Sequence, residues 1–456
     1  MPIRFRLLLL FLIINLCKTD TAIEKYQSSF LKKKGTVDEV KVAQIKHSLE
    51  GWLNYNYSSK VFPSIAVGVV KGNELVYSYK LGTTDRTNYG LGSITKTFTG
   101  TMVMQAVEKG LIELDAPVSK YIPGLKLEKA ELKSKPVTIR HLLSHTSGMP
   151  DLRYYQNPEV IPTATTGLPF NITGQIYPAG YHYRYSNYGF MTLGVVLEKV
   201  YNKPLKQIIE EEIFAKIGMD NSFASPMVQG AGGIQTNLID MGRYASMWLN
   251  EGKSVNGVQV LKPETVNKMI RLQTPVPSFA RTKKYCGLAW RTESDEEGVT
   301  TFFHIGGANY VAAWVQMFPK YDVAVFYLSN PPEYDDNLMT QLVIMQWKLG
   351  DLASAIVGAE KPVHKTGETN PSEEVYKKYE GNYKNPLTQK KATVFYKDAK
   401  LYFQPEGGGQ IYLPPSTISV FGGPGGPGSY EFTWHPLTQA ILGVSNYAGF
   451  YERIYE

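Results

Sequence analysis

Cysteine is nearly absent from this chain. The 456 residues hold two, Cys17 and Cys286, so no disulfide framework organises the fold and apolar cores must do so. Cys286 reads as a buried apolar residue rather than a reactive thiol. Long hydrophobic runs are missing after the first 22 residues, which excludes a membrane-spanning helix beyond them. Clustered charge is missing too. The net charge of +7 comes from 48 Lys and Arg against 41 Asp and Glu. The basic residues are scattered and not interleaved with aromatics, so a nucleic-acid partner has no support. Lys32-Lys33-Lys34 and Lys390-Lys391 are short solvated runs. There is no internal repeat, and no acidic run of the kind a mineral-facing protein carries. With 43% apolar and 20% charged residues, the composition is that of a globular protein. Its length suits two or three domains.

What is present begins with a leader pattern. Arg4 and Arg6 precede an unbroken apolar run, Leu7 to Ile14, extended by Leu16 and Cys17. That run is too short to span a bilayer and fits a secretory signal, so residues 1–22 are expected to be a signal peptide cleaved between Cys17 and Ala22. The expected location is secreted and extracellular. Two sequons agree with export, Asn56-Tyr57-Ser58 and Asn171-Ile172-Thr173, making Asn56 and Asn171 glycosylation candidates.

Residues 23–357 alternate strand and helix patterns. Ile65–Val70 and Glu74–Tyr79 read as a hairpin around Lys71-Gly72-Asn73. A helix follows Ser93 and ends at Gly110. Helical segments are expected at Ile139–Leu143, Phe190–Tyr201, Leu205–Ile217, Leu238–Asn250 and Pro263–Leu272. Strands return at Thr300–Phe303, Ala312–Phe318 and Val323–Leu328, and Leu338–Leu349 reads as a further helix. Strand pairs at both ends of this region imply an antiparallel sheet closed by distant segments, an α+β class. Gly358, Pro362, Gly367 and Pro371 punctuate a linker over 358–372. Residues 373–456 read as an all-β module with strands at Ala392–Tyr396, Leu401–Phe403, Ser429–Trp434 and Phe450–Tyr455. The glycine-rich stretch Gly422–Gly428 lacks the Lys-Ser/Thr and helix of a phosphate loop and reads as a hairpin loop.

The chemistry-bearing stretch is Gly92-Ser93-Ile94-Thr95-Lys96, ahead of an apolar helical run (Phe98, Met102, Val103, Ala106, Val107). At helical spacing Ser93 and Lys96 share one face. A serine hydroxyl attacks a carbonyl only when a base takes its proton, and a lysine amine can be that base. The same spacing recurs at Ser29–Lys32, in a solvated segment. A second cluster is Tyr185-Ser186-Asn187. Tyr185 can relay a proton, its phenolate needing nearby cations, and the Asn187 amide can hold both the lysine and a substrate carbonyl. The bland reading is a polar loop with Asn187 as helix N-cap. Tyr383-Lys384-Asn385 repeats the pattern and reads as a turn. A third cluster is His304-Ile305-Gly306-Gly307. Glycines on a strand mark close approach or a bulge, and a backbone N–H there can complete an oxyanion hole with that of Ser93. His141 and His145 have zinc-like spacing, but the turn residues after them favour a helix-to-loop anchor. No metal site and no organic cofactor is expected.

In order along the chain, Gly92-Ser93-Ile94-Thr95-Lys96, Leu142-Leu143-Ser144-His145-Thr146-Ser147-Gly148, Tyr185-Ser186-Asn187-Tyr188-Gly189, Gly232-Gly233-Ile234 and His304-Ile305-Gly306 resemble the serine hydrolases related to penicillin-binding proteins and class C β-lactamases. The resemblance implies an antiparallel sheet flanked by helices with a mostly helical subdomain, and a lipocalin-like C-terminal module as some members carry. It implies Ser93 as the acylated nucleophile, Lys96 as its proton acceptor, Tyr185 as a second acid/base and Asn187 as a support. His304, Gly306 and Gly307 would stand on the strand where the family carries Lys-Thr/Ser-Gly. Ile305 there lacks the family's hydroxyl, and His304 is expected to be only partly charged near neutral pH, which disfavours carboxylate-bearing β-lactams and D-Ala-D-Ala peptides and points to esterase, amidase or aminopeptidase-type relatives. Lys365-Thr366-Gly367 matches literally but falls in the linker. The expectation is a secreted hydrolase of esters, amides or peptides. The second reading is a secreted extracellular-matrix or binding protein without turnover, since invertebrate relatives occur in extracellular matrices, mollusc shell included.

Overall fold

The computed structural model describes residues 35–123, 125, 127, 135–149, 175, 178–181, 183–276, 283–295, 298–308, 310–332, 336–359, 373–384, 389–413, 420–421, 430–434, 441–446 and 449–454. The expected signal segment, Ser29–Lys32, Asn171, most of the linker with Lys365–Gly367, and the Gly422–Gly428 loop lie outside the described residues.

The strand Ile65–Lys71 (β1) is apolar along its whole length and buried except at Lys71. A strand covered on both faces has that pattern. It pairs antiparallel with Glu74–Leu81 (β2) through the expected hairpin. Three strands, Tyr89–Gly90 (β3), Phe223–Gln229 (β4) and Gly232–Thr236 (β5), form a separate sheet in the order β3-β5-β4. The main sheet then collects Thr274–Val276 (β6), Lys283–Cys286 (β7), Arg291–Asp295 (β8), Gly298–Ala308 (β9), Val311–Phe318 (β10) and Val323–Ser329 (β11). Its order is β2-β1-β11-β10-β9-β8-β7-β6. The register sets Val67 opposite Tyr327, and Tyr327 opposite Trp314.

Alternation along β1 divides two cores. Ile65, Val67 and Val69 join Trp314, Tyr327 and the helices Glu39–Ser58 and Asp336–Ile356 on one face. Ala66 and Val70 join the other face, with the helices Thr95–Glu108, Asn187–Tyr201 and Leu238–Leu249. The Thr95–Glu108 helix is buried from Thr95 to Ala106, as a helix passing through a core must be. Its threonines are satisfied there. Thr97 Oγ1 bonds Ile94 O and the Tyr244 hydroxyl, Thr99 Oγ1 donates to Gly230 O, and Thr101 Oγ1 donates to Thr97 O. Threonine is a weak helix former, and here packing overrides propensity. Phe98 anchors the helix by stacking on Tyr244, ring centroids 4.0 Å apart and 9° from parallel.

The tail is a second antiparallel sheet. Gly381–Lys384 (β12), Lys391–Lys397 (β13), Lys400–Pro405 (β14), Ile411–Tyr412 (β15), Val420–Phe421 (β16), Tyr430–Trp434 (β17), Ile441–Asn446 (β18) and Gly449–Ile454 (β19) follow one another. Their order is β15-β14-β13-β12-β19-β18-β17-β16, so first and last strands pair. Tyr379, Tyr383, Val394, Phe403 and Val444 form its own core. Among the described residues no helix is long and apolar enough to cross a membrane.

Several expectations are corrected. Asn56 lies in the last turn of the Glu39–Ser58 helix, 2% exposed, with its amide donating to Trp52 O at 2.9 Å; a glycan has no room there. Tyr383 is not a turn residue but a buried position of β12, its hydroxyl donating to Tyr379 O at 2.7 Å. The helix expected over Leu205–Ile217 is interrupted: it is α-helical over Leu205–Ile209, passes through a π-helical turn, Glu210–Phe214, and is α-helical again over Ala215–Ile217. The short strands β3 to β8 carry no clear alternation and escaped the pattern. Phe98→Ala removes the stacked anchor of the Thr95–Glu108 helix. It is expected to lower the unfolding free energy by about 3–5 kcal/mol, read from urea unfolding curves.

Candidate active site

Ser93 stands on a single 3-10 turn, Gly92–Ile94, and the α-helix starts only at Thr95. Two glycines allow this turn to press against β9. Gly92 has φ +48°, and a Cβ there would lie 2.9 Å from Gly307 N. A Cβ on Gly306 would lie 2.0 Å from Leu91 O. No side chain fits such an approach. From the other side β5 holds the same turn, Leu91 N–H donating to Ile234 O at 2.9 Å. Ser93 is thus held between two strands, with the Gly307 amide nitrogen beside its turn.

Lys96 is fully buried one turn on. Its Nζ lies 2.9 Å from Ser93 Oγ, 2.6 Å from Asn187 Oδ1 and 3.0 Å from Ala231 O. The latter two are carbonyl oxygens and can only accept. They take two N–H hydrogens whether the nitrogen is an amine or an ammonium. The third position faces a hydroxyl, which can accept from an ammonium or donate to an amine. A proton can therefore pass between Ser93 and Lys96 with the other two bonds intact.

Asn187 owes its position to its neighbour. Ser186, not Asn187, is the N-cap of the Asn187–Tyr201 helix, its side chain accepting Gly189 N–H at 3.1 Å. That leaves the Asn187 amide for the lysine. Tyr185 is half-buried, its ring centroid 4.9 Å from Lys96 Nζ and 5.8 Å from the Arg291 guanidinium carbon. Both are within cation–π range, and such cations are what a phenolate base needs beside it. Arg291, at the start of β8, belongs to no motif, and Ala231 contributes only a main-chain oxygen. The sequence signals neither.

His304 is buried on β9, its Nδ1 2.9 Å from Ile305 O. Burial, then the charges of Lys96 and Arg291, hold it well below the ordinary histidine range. The expectation of partial charge near neutral pH is corrected: His304 is neutral. His145 is held down likewise, by burial first and then by Lys96, His304 and Arg291. His141 and His145 are engaged separately, His141 Nδ1 accepting Thr138 N–H and His145 Nδ1 accepting Ser186 N–H. Among the described residues no group of three or more His, Cys, Asp or Glu could hold a metal ion. Ile305 is 41% exposed and brings no hydrogen bond of its own side chain to the strand.

The two neutral histidines couple stability to pH. Each would protonate near 6.5 once unfolded but stays neutral in the fold. Their contribution is complete above pH 6.5 and is lost as pH falls below it, because only the unfolded chain takes up protons there. Each is expected to add up to about 1.4 kcal/mol per pH unit to that loss. Urea unfolding between pH 8 and 5 measures it, and His304→Gln should flatten the slope by one histidine's share.

A sequence model of the family described as Beta-lactamase matches residues 42–343. A "Putative D-alanyl-D-alanine carboxypeptidase" of Salmonella paratyphi A (strain ATCC 9150 / SARB42) is 28% identical over 213 residues, 41% of this chain and 49% of its own length. The same figures hold for one of Salmonella enteritidis PT4 (strain P125109). The chain thus spans about half the length of these curated relatives. The octameric penicillin-binding protein homologue from Pyrococcus abyssi overlays with TM-score 0.60 at 20% identity, covering 88% of this chain and 96% of that one. SurE with D-Leu overlays with TM-score 0.63 at 18% identity, covering 91% and 100%. These two show a shared fold. Because that family model matches residues 42–343, about two thirds of the sequence, the chain belongs to the beta-lactamase family.

Proposed function

We propose that the protein is a secreted serine hydrolase of esterase, amidase or peptidase type that works through an acyl-enzyme on Ser93. The observation that carries this reading is the 2.9 Å contact between Lys96 Nζ and Ser93 Oγ, with two carbonyls fixing the other amine positions. In the reaction the Ser93 proton moves to the Lys96 amine while Oγ bonds the substrate carbonyl carbon. The Ser93 and Gly307 N–H groups receive the oxyanion. Tyr185 delivers a proton to the leaving group as its bond to carbon breaks. Water then attacks the ester carbonyl and gives its proton to the Tyr185 phenolate, and the acid leaves as the bond to Ser93 Oγ breaks and Oγ takes back the proton held on Lys96. No step needs a metal or organic cofactor.

Relatives named as carboxypeptidases support a peptide or amide substrate, and a SurE structure with D-Leu supports a D-amino-acid group within it. Ile305 supports substrates that do not depend on a hydroxyl at that strand position. Secretion rests on residues 1–22 alone. The domain division 23–357 and 373–456 is supported by the separate sheets and cores. The tail's strand order, with first and last strands paired, is that of an up-and-down barrel and supports the lipocalin-like reading.

Incubation with a fluorophosphonate or penicillin probe is expected to leave a covalent adduct on Ser93 by peptide mass spectrometry. Ser93→Ala should lose the adduct and lower hydrolysis of short acyl esters and D-amino-acid amides about 10^4-fold or more. A folded wild-type chain that takes neither probe and hydrolyses neither substrate class would instead be the binding or matrix protein.

A further inference from the structure

We propose that His145 is the positioning residue of Tyr185, holding the phenol ring beside Lys96 through a ring stack and a clamp on the backbone around it. The proposal rests on the Ser93 acyl-enzyme reading. His145 has φ +54°, a left-handed conformation that few non-glycine residues adopt, histidine and asparagine among them. From there it engages three consecutive residues. Its carbonyl accepts Arg184 N–H at 2.7 Å, its ring stacks on Tyr185 with centroids 4.4 Å apart and planes at 30°, and its Nδ1 accepts Ser186 N–H at 3.1 Å. The next residue is Asn187, which holds Lys96. The ring also packs against Phe190, centroids 4.9 Å apart, and edge-on to Tyr183 at 5.8 Å. Lys96 Nζ itself lies 5.9 Å from the Phe190 ring, so lysine, tyrosine and histidine share one aromatic box.

The backbone bond also selects the protonation state. Ser186 N–H can only donate, so Nδ1 must carry the lone pair and the ring proton sits on Nε2. An imidazolium would set two donors against each other. It would also add a positive charge among Lys96 of the nucleophile helix, Arg291 of β8 and His304 of β9, with Tyr183 and Tyr185 on the facing loop. A neutral aromatic plate is what the position admits. A histidine that only filled the core would need none of these three engagements with residues 184–186.

The test uses the full chain with two variants. His145→Asn tolerates the left-handed backbone but has no ring; His145→Phe keeps an aromatic face but has no acceptor. Thermal unfolding shows which are folded at the assay temperature. On amides, whose leaving group needs a proton, His145→Asn is expected to lower kcat at least 10-fold with KM within 2-fold. On p-nitrophenyl esters, whose leaving group needs none, the loss should be under 3-fold, and His145→Phe should recover part of the amide rate. Tyr185→Phe should cost far less in the His145→Asn background than alone. Equal losses on both substrates, or fully additive effects, overturn the proposal. Independently of turnover, the Tyr185 signal in a 13C-tyrosine spectrum, assigned by Tyr185→Phe, should move in His145→Asn. An unmoved signal also overturns it. Absence of a Ser93 adduct in the wild type would count against the acyl-enzyme reading, while a labelled chain with wild-type kinetics in both variants would sink this inference alone.

Discussion

The site depends on seating one amine inside the protein. Lys96 is fully buried, and a buried polar group without partners costs several kcal/mol. Its partners come from one local and two distant stretches: Ser93 on the preceding turn, and Asn187 at the head of a helix and Ala231 just before β5. The fold must bring these together for the lysine to be tolerated at all. Because two acceptors are carbonyls, the remaining valence is aimed at the hydroxyl in either protonation state. The same requirement that satisfies the amine therefore also prepares it to exchange a proton with Ser93.

Close backbone packing supplies the rest of the geometry. The Ser93 turn is wedged between β5 and β9 at distances that exclude a side chain on Gly92 or Gly306. A turn held by strands on both sides has little freedom to move its hydroxyl. Around it the electrostatics are set by position more than by residue type. Two histidines are held well below the ordinary histidine range, by burial first and then by Lys96 and Arg291, which leaves basic groups at the lysine and arginine with aromatic rings between them.

The main sheet with its helices and the tail differ in how openly their sequences declare them. β1 and β11 are continuous apolar runs, and the Thr95–Glu108 helix follows a clear turn and an apolar stripe. The strands are readable because burial on both faces calls for apolar residues along their length, and the helix because its apolar positions recur at helical spacing while its buried threonines bond within the fold. β6, β7 and β8 are short, mixed in polarity and lie at one end of the sheet, where half-exposed positions erase alternation. Asn56 matched a glycosylation triplet, but a triplet carries no information on burial. Tyr383 matched a catalytic-looking pair and is a core residue of the tail.

The chain alone determined the chemical cast: a serine and a lysine one turn apart, a Tyr-Ser-Asn loop, and a glycine-bearing strand after a histidine. Local spacing is covalent, so the Ser93–Lys96 contact needs nothing but a helical turn. What only the tertiary structure decided is everything that acts across the chain. It assigned the N-cap to Ser186 and so released the Asn187 amide. It added Arg291 and the Ala231 carbonyl, which no motif marks. It also made His304 and His145 neutral, because charge in a protein follows from what surrounds a group, and no linear pattern records its surroundings.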